Sequence, residues 1–300
     1  MKFSEFVVTV LPEDPRLDKL IPLHVKDLSR SAARRLIEGG AVYLNKKRCQ
    51  MNGKLLRVGD KVRVMLAAEK EREEFQFTAE RILFEDNDLI VVDKPPGLPT
   101  HETIDTSRHN LVRSLQIFLG ARDKVAPQKV YLGIHHRLDL ETSGVLLFTK
   151  QKEANAPVAQ AFQNRTVEKT YLALSMGKLD QPRVIKSHLG ESARNRRIIC
   201  SVSRGGKYAE TAIRSLECHE LDGRPVTLVE ASPKTGRTHQ IRVHLGENNL
   251  PILGDRTYGV SYSGAPRVML HAWKLRLLGK TFTTPLPEDF RALNFHEPRA

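Results

Sequence analysis

Three stretches of this chain carry more polar chemistry than a folded core requires. In the first, Gly133-Ile134-His135-His136-Arg137-Leu138-Asp139-Leu140-Glu141-Thr142-Ser143-Gly144 runs into the apolar Val145-Leu146-Leu147-Phe148. An aspartate just before an apolar strand is a carboxylate at the edge of a hydrophobic layer, where it can position or serve as a nucleophile or base. The same residues also suit a plain turn, because Asp and Thr-Ser-Gly readily cap local backbone. The second stretch is Pro233-Lys234-Thr235-Gly236-Arg237-Thr238-His239-Gln240-Ile241-Arg242-Val243-His244. Its alternation predicts a strand with Gln240, Arg242 and His244 on one face and Ile241 and Val243 on the other. If the polar face points inward, Arg242 needs a carboxylate, since a buried unpaired guanidinium is very costly, and Asp139 is the natural candidate. If it points to solvent, no partner is required. The third stretch, Val167-Glu168-Lys169-Thr170-Tyr171-Leu172-Ala173-Leu174, sets one of only six tyrosines on a strand. Tyr171 there is either a core or edge ring, or a face on which a base can stack.

Other chemistries find little support. His135-His136, His239 with His244, and Cys218-His219 do not reproduce His-x-x-x-His or Cys-x-x-Cys ligand spacing, so no metal is expected. Arg204-Gly205-Gly206-Lys207 is not a phosphate loop, because Ser201 stands where its first glycine belongs and Tyr208 where a magnesium-binding Ser or Thr belongs. A Gly-x-Ser-x-Gly elbow and a dinucleotide fingerprint are both missing from the sequence.

Strands and a few helices must position these stretches. Ile82–Phe84 and Leu89–Val92 read as strands around the turn Glu85-Asp86-Asn87-Asp88, and further strands are predicted at 145–149, 170–175, 225–231, 240–245 and 268–277. Helices are predicted at 109–119 and 155–164, the second with Pro157 in its first turn, where proline is tolerated. Such a mixture indicates an α+β fold with a large mixed, mainly antiparallel sheet.

The 300 residues carry a net charge of +13, and 40% of them are hydrophobic, enough for a real core. Between Arg16 and Met65 thirteen Lys/Arg face four acids, a surplus of +9 in one sixth of the chain. Leu66–Glu80 then reverses to −3, with five Glu against one Lys and one Arg, and marks a boundary. Within the basic segment, Leu28–Glu38 reads as a helix capped by Ser29 or Ser31 and closed by Gly39-Gly40, with Arg30, Arg34 and Arg35 on its exposed side. A strand through Val42 leads to a basic turn at Lys46, Lys47 and Arg48. A basic helix beside a basic hairpin points to phosphate binding more than to a merely solvated surface. No apolar run is long enough to cross a membrane, the FVVTVL run is too short for a signal-peptide core, and three scattered cysteines suit a reducing cytoplasm.

Two resemblances draw these readings together. RLDKLI…LSRSAARRLIEGGAVYLNKKR…GKLLRVGDKVRV resembles the small α/β RNA-binding module first seen in ribosomal protein S-four, which implies structured RNA held mainly by shape and phosphate contacts. The later motifs resemble, in order, those of the RluA-type pseudouridine synthases. They are Phe84–Gly97, His136-Arg137-Leu138-Asp139 with Thr142-Ser143-Gly144, Lys169-Thr170-Tyr171, Gly236–His244, Gly254-Asp255-x-x-Tyr258-Gly259 and His271-Ala272-Trp273. The likeness covers about residues 80–290 and is less clear from Gln181 to Tyr208. It implies an RNA-binding domain over 14–66, a linker over 67–78 and a catalytic domain over 79–290. It also implies isomerisation of uridine in RNA without metal or cofactor, by a cytoplasmic enzyme expected to work as a monomer. Large-subunit ribosomal RNA is the favoured substrate, with transfer RNA the alternative. Asp139 is carried over as the catalytic carboxylate, acting on the sugar carbon or at the 2′ position, with Tyr171 stacking on the uracil and Arg242 pairing with Asp139. Arg137, whose guanidinium would fill the space of a flipped-out base, joins His136, Thr142, Ile241 and Lys94 around the substrate. A non-catalytic RNA-binding protein on the same fold would be expected to have lost Asp139, Tyr171 or Arg242, and a metal-dependent nuclease would need clustered carboxylates.

Overall fold

A computed structural model of the chain describes residues 2–26, 28–66, 75–101, 109–196 and 198–298. The chain forms two compact units, Met1–Phe75 with His101–Asn110, and Gln76–Thr100 with Leu111–Ala300. Most of the expected linker, 67–74, lies outside the described residues.

The first unit contains β1 (Lys2–Val7), α1 (Leu17–His24), α2 (Arg30–Glu38), β2 (Val42–Leu44), β3 (Lys47–Cys49) and β4 (Lys61–Leu66). Its antiparallel sheet has the order β1-β4-β2-β3. Period-two burial in β4 turns Val62 and Val64 inward, where they meet Leu17, Leu20, Ile21, Ala33 and Ile37 from the two helices. The Ala32 N–H donates to Ser29 Oγ at 3.2 Å, the expected N-cap of α2. β1, which precedes the expected start of the module, pairs with β4 along its whole length.

The second unit is built on an eleven-stranded sheet comprising β5 (Ile82–Glu85), β6 (Leu89–Lys94), β7 (Gly133–Ile134), β8 (Ser143–Thr149), β9 (Glu168–Met176), β10 (Arg183–Glu191), β11 (Ile199–Ser201), β12 (Lys207–Leu221), β13 (Arg224–Pro233), β14 (Leu270–Leu277) and β15 (Lys280–Thr283). Its path runs β11-β10-β12-β13-β9-β14-β8-β6-β5, with β15 on β14 and β7 on β8. Among the described strands only β14 and β8 pair in parallel, so the sheet is mixed and mainly antiparallel, as expected. All seven residues of β8 are buried, which explains why this run is continuously apolar rather than alternating. The helices are α3 (Leu111–Asp123), α4 (Asn155–Gln163), α5 (Gln240–Gly246) and α6 (Glu288–Arg291). Val158 and Ala161 of α4 pack with Val145 and Leu147 of β8 in one apolar cluster.

One element departs from expectation. Residues 240–245 are not a strand but lie in α5. Five alternating residues cannot distinguish the two periods, and here side-chain partners decide. Gln240 and His244, four apart and therefore on one helical face, both hydrogen-bond Thr211 of β12, at 2.9 and 2.8 Å. Ile241 and Leu245 sink into the main core beside Ile213, while Arg242 points elsewhere. β12 had no clear signal either. It is fifteen residues long, but its inward positions near α5 include the small Ala209 and Thr211, so its alternation is weakly hydrophobic.

Candidate active site

Asp139 lies in the turn between β7 and β8, and that turn is held on several sides. Thr100 brackets Leu138, its hydroxyl donating to the carbonyl at 3.3 Å and accepting from the N–H at 3.4 Å. The Leu140 carbonyl accepts from the Gly97 N–H at 2.9 Å and from Lys94 Nζ at 3.2 Å. Buried Arg267, paired with Asp289 through both oxygens, donates to the Glu141 carbonyl at 3.2 Å. The turn closes with Thr142 N–H on the Asp139 carbonyl at 3.1 Å. Gly144 follows with φ +115°, and a Cβ there would sit 2.2 Å from the Ala272 carbonyl oxygen of β14, so only glycine lets β8 and β14 come together beside the turn. These ties hold the carboxylate-bearing residue in place before any ligand arrives.

The side chain facing Asp139 comes from α5. His239, at φ 54°, kinks the chain into this helix and aims Arg242 back toward the turn. Arg242 Nη1 donates to Asp139 Oδ2 at 3.2 Å. Its principal partner is a second carboxylate, Asp255, which takes Nε at 2.6 Å on Oδ2 and Nη2 at 2.9 Å on Oδ1. Asp255 is fully buried and also accepts the N–H groups of Thr257 and Tyr258. Its location follows from Gly254, whose φ of +76° and closeness to the Arg267 carbonyl exclude any side chain. Asp139 differs in being 31% exposed. The bridge therefore joins a buried structural carboxylate to an accessible one.

The electrostatics follow from this arrangement. Burial works against the Arg242 charge, but Asp255 and then Asp139 more than offset it and hold its pKa above the ordinary guanidinium value. Burial would likewise raise Asp255, yet the Arg242 hydrogen bonds keep it below the usual carboxylate range. Tyr258 stands beside the bridge, with Arg242 stacked over its ring at 5.0 Å. The Tyr258 hydroxyl accepts the Ile199 N–H at 2.9 Å and shares a hydrogen bond with His239 Nδ1 at 2.9 Å, and His239 Nε2 lies 3.9 Å from Asp139 Oδ2. Tyr171, partly buried on β9, has its hydroxyl pushed upward by burial and then by the Asp139 charge, so it is a neutral phenol at pH 7.

The structure thus brings Asp139, Arg242 and Tyr171 into one environment and leaves Arg137 exposed beside them. Four residues expected around the substrate make the following protein contacts. Lys94 is wholly buried, and its three N–H bonds go to the carbonyls of Pro95, Leu98 and Leu140 at 2.9, 2.8 and 3.2 Å. Its bond to the Leu140 carbonyl ties it to the Asp139 turn. Burial, aided by Arg267 and opposed by Asp139 and Asp93, pulls its pKa down to about 7. His136 accepts the Leu147 N–H on Nε2 at 3.1 Å and stacks on Phe162 at 5.2 Å. Burial, then Lys169 and His135, lower its pKa to about 3 and keep it neutral. Thr142 is buried, and its hydroxyl has no partner among the described residues. Ile241 belongs to the main apolar core. Sequence reasoning gave Asp255, Tyr258 and His239 no role, although a Gly-Asp-x-x-Tyr motif was visible. The available signal was that a buried arginine facing an exposed acid is best balanced by a second carboxylate.

In the first unit, Lys46, Lys47 and Arg48 are exposed around the turn between β2 and β3, where Asn45 and Lys46 both have positive φ. Arg30 and Arg34 are also exposed, yet with Arg16 they converge on the buried carboxylate of Asp18, at 3.1, 2.7 and 3.1 Å. Burial would raise Asp18, but the three guanidinium hydrogen bonds bring it below its usual range. Asp18 therefore holds three like charges together on one surface. The Arg35 side chain lies outside the described residues.

Comparison with known proteins places this geometry in context. Residues 88–247 match the family model described as RNA pseudouridylate synthase, and residues 15–62 match the S4 domain. A protein named ribosomal large subunit pseudouridine synthase D, from Nitrosomonas europaea, is 35% identical over 295 residues, covering 93% of this chain and 83% of the relative. One named ribosomal large subunit pseudouridine synthase C, from Vibrio parahaemolyticus, is 30% identical, covering 93% of this chain and 88% of the relative. Among solved structures, Human RNA Pseudouridylate Synthase Domain Containing 4 superimposes with a TM-score of 0.59 at 26% identity, over 73% of this chain and 95% of that one.

Proposed function

The chain belongs to the RNA pseudouridylate synthase family, and from that membership we propose that it isomerises uridine in large-subunit ribosomal RNA, with Asp139 as the catalytic carboxylate and no cofactor. The observation that carries this reading is the Asp139–Arg242–Asp255 bridge, in which one guanidinium satisfies a buried acid and directs an accessible one. In the isomerisation the N1–C1′ bond breaks, the uracil turns, C5 bonds to C1′, and the C5 proton is lost while N1 gains one. An ionised Asp139 serves either entry to this sequence, attack at C1′ or proton removal at the 2′ position. Arg242 fixes the direction of that carboxylate through its 3.2 Å hydrogen bond.

Tyr171 enters at the end. When C5 bonds to C1′ the Asp139 carboxylate is displaced from the sugar, or gives its proton back, so it is charged again and with burial keeps Tyr171 a neutral phenol. The C5 proton leaves after that step, with the Tyr171 hydroxyl relaying it and the ring supporting the turning uracil. Exposed Arg137 suits the space a flipped-out uridine leaves in the RNA stack. The relatives named for the ribosomal large subunit support that substrate, and the S4 match supports RNA binding by the N-terminal region. In this reading residues 14–66 bind RNA, 67–78 link, and 79–290 carry the chemistry.

The test is release of tritium from ribosomal RNA carrying 5-tritiated uridine, since the C5 hydrogen leaves only when the C–C bond forms. Asp139→Asn is expected to abolish release and to leave RNA affinity within about twofold, because residue 139 makes no phosphate-type contact in this scheme. An active Asn variant sinks the assignment of Asp139, and a wild-type protein inert on ribosomal RNA but active on transfer RNA sinks the choice of substrate.

A further inference from the structure

A second polar cluster shares no residue with the Asp139 site. Glu217 and His219 are two residues apart on β12 and project from the same face of the sheet. His296, from the segment that follows α6, meets them there. Glu217 Oε1 is shared by His219 Nε2 and His296 Nδ1, both at 2.7 Å, while Oε2 accepts the His296 backbone N–H at 3.0 Å. One ligand atom from each residue lies within 4.8 Å of the other two. Buried Phe295 packs edge-on against the His219 ring at 4.9 Å and anchors the segment beside it.

We propose that Glu217, His219 and His296 form a binding site for a divalent transition-metal ion of the zinc class, which clips the C-terminal segment to β12. Two imidazoles and one carboxylate are the donors such borderline ions prefer, whereas magnesium and calcium favour sets built of oxygen. Tetrahedral zinc, with bonds of about 2.0–2.1 Å, sets its ligand atoms about 3.3 Å apart. The nitrogen-to-oxygen separations of 2.7 Å therefore need to widen by only about half an ångström. A neutral imidazole can move its proton to the other ring nitrogen, so both histidines can present a lone pair without changing charge. Three protein ligands leave a fourth position for water, and His296, 78% exposed, leaves the ion a way in from solvent. Because the three ligands join β12 to the segment after α6, the ion's effect is to fasten that segment to the sheet. Spacing rules miss this site because its third ligand comes from a distant part of the chain. Intervening Cys218 alternates to the other face, where Thr227 Oγ1 donates to its sulfur at 3.6 Å.

The test uses the untagged full-length protein, stripped by chelator and titrated calorimetrically with zinc chloride at pH 7.5. One ion per chain is expected, with affinity at least tenfold weaker in both His219→Ala and His296→Ala and unchanged in Cys218→Ser. Zinc should also raise the melting temperature of the wild type but not of His296→Ala, whose exposed side chain can be removed without opening the core. Absence of saturable zinc binding overturns the proposal. So does binding that survives in both histidine variants, or binding lost only in Cys218→Ser.

Discussion

Asp255 is the carboxylate on which the orientation of Arg242, and through it Asp139, depends, so Asp255→Asn is the most direct perturbation of the bridge. An asparagine can keep its oxygen where Oδ1 stands, accepting from Arg242 Nη2, Thr257 and Tyr258. Its amide nitrogen then occupies the Oδ2 position and faces the Arg242 Nε–H, donor against donor, where a 2.6 Å charge-assisted bond had been. Losing that bond costs about 1.5–3 kcal/mol, and leaving a buried donor unpaired about 1–3 more, for a total of about 2.5–6 kcal/mol. Arg242 is 11% exposed, so water cannot make up the loss. The remaining counter-charge is Asp139, and the guanidinium should shift toward it and drag the carboxylate from its resting direction. A misplacement that removes about 2.7 kcal/mol of transition-state stabilisation slows the reaction about 100-fold. Single-turnover tritium release should fall by that amount, with RNA affinity within about twofold of wild type and a lowered but cooperative urea unfolding transition. A folded Asp255→Asn protein that turns over at the wild-type rate would refute the claim that Asp255 directs the site.

Further perturbations probe the surroundings. Lys94→Met removes the ammonium that ties the carbonyls of Pro95, Leu98 and Leu140, and it should cost about 2–4 kcal/mol of stability and slow single-turnover release by at least tenfold while sparing RNA affinity. Deleting residues 1–66 removes fourteen Lys/Arg and seven acids, a net +7, so RNA binding should weaken and its dependence on salt should flatten in filter-binding titrations; an unchanged salt slope would count against an N-terminal clamp. His271 is buried and hydrogen-bonded to Ser143 at 2.9 Å, and burial, followed by Arg267, lowers its pKa to about 3. The unfolded chain takes up the proton below about pH 6.5 while the folded one refuses it, so stability is full above that pH and declines toward pH 3. The loss at pH 5 is about 2 kcal/mol. Urea denaturation at pH 7 and 5 should show it, and His271→Gln should reduce the difference by about that amount.

The legible parts of this fold were those where one local period had no competitor. Continuous apolar β8, alternating β4 and the Ser29-capped α2 each satisfy their backbone and their burial within a few residues, so pattern and structure coincide. The second unit was harder to read around β10 and β12, because many of their residues are exposed or only partly buried and leave little hydrophobic contrast. In the site, residue type was informative and direction was not. Lys94, His136 and Ile241 were expected near a ligand, and the structure shows their protein contacts instead, which are backbone carbonyls, a backbone N–H and the main core respectively, while Thr142 is buried with no hydroxyl partner among the described residues.

What the amino-acid sequence determined by itself was the inventory: a basic N-terminal module, an acid at the mouth of an apolar strand, and an arginine that would need a carboxylate if buried. These depend on short-range pattern and charge, which neighbouring residues express without help from the rest of the fold. Only the tertiary structure decided that residues 240–246 wind into a helix. The reason is that Gln240 and His244 find a common partner in Thr211 and that Arg242 must reach two acids at once. Those acids lie far apart along the chain, and the cost of burying a guanidinium is what brings them to the same place.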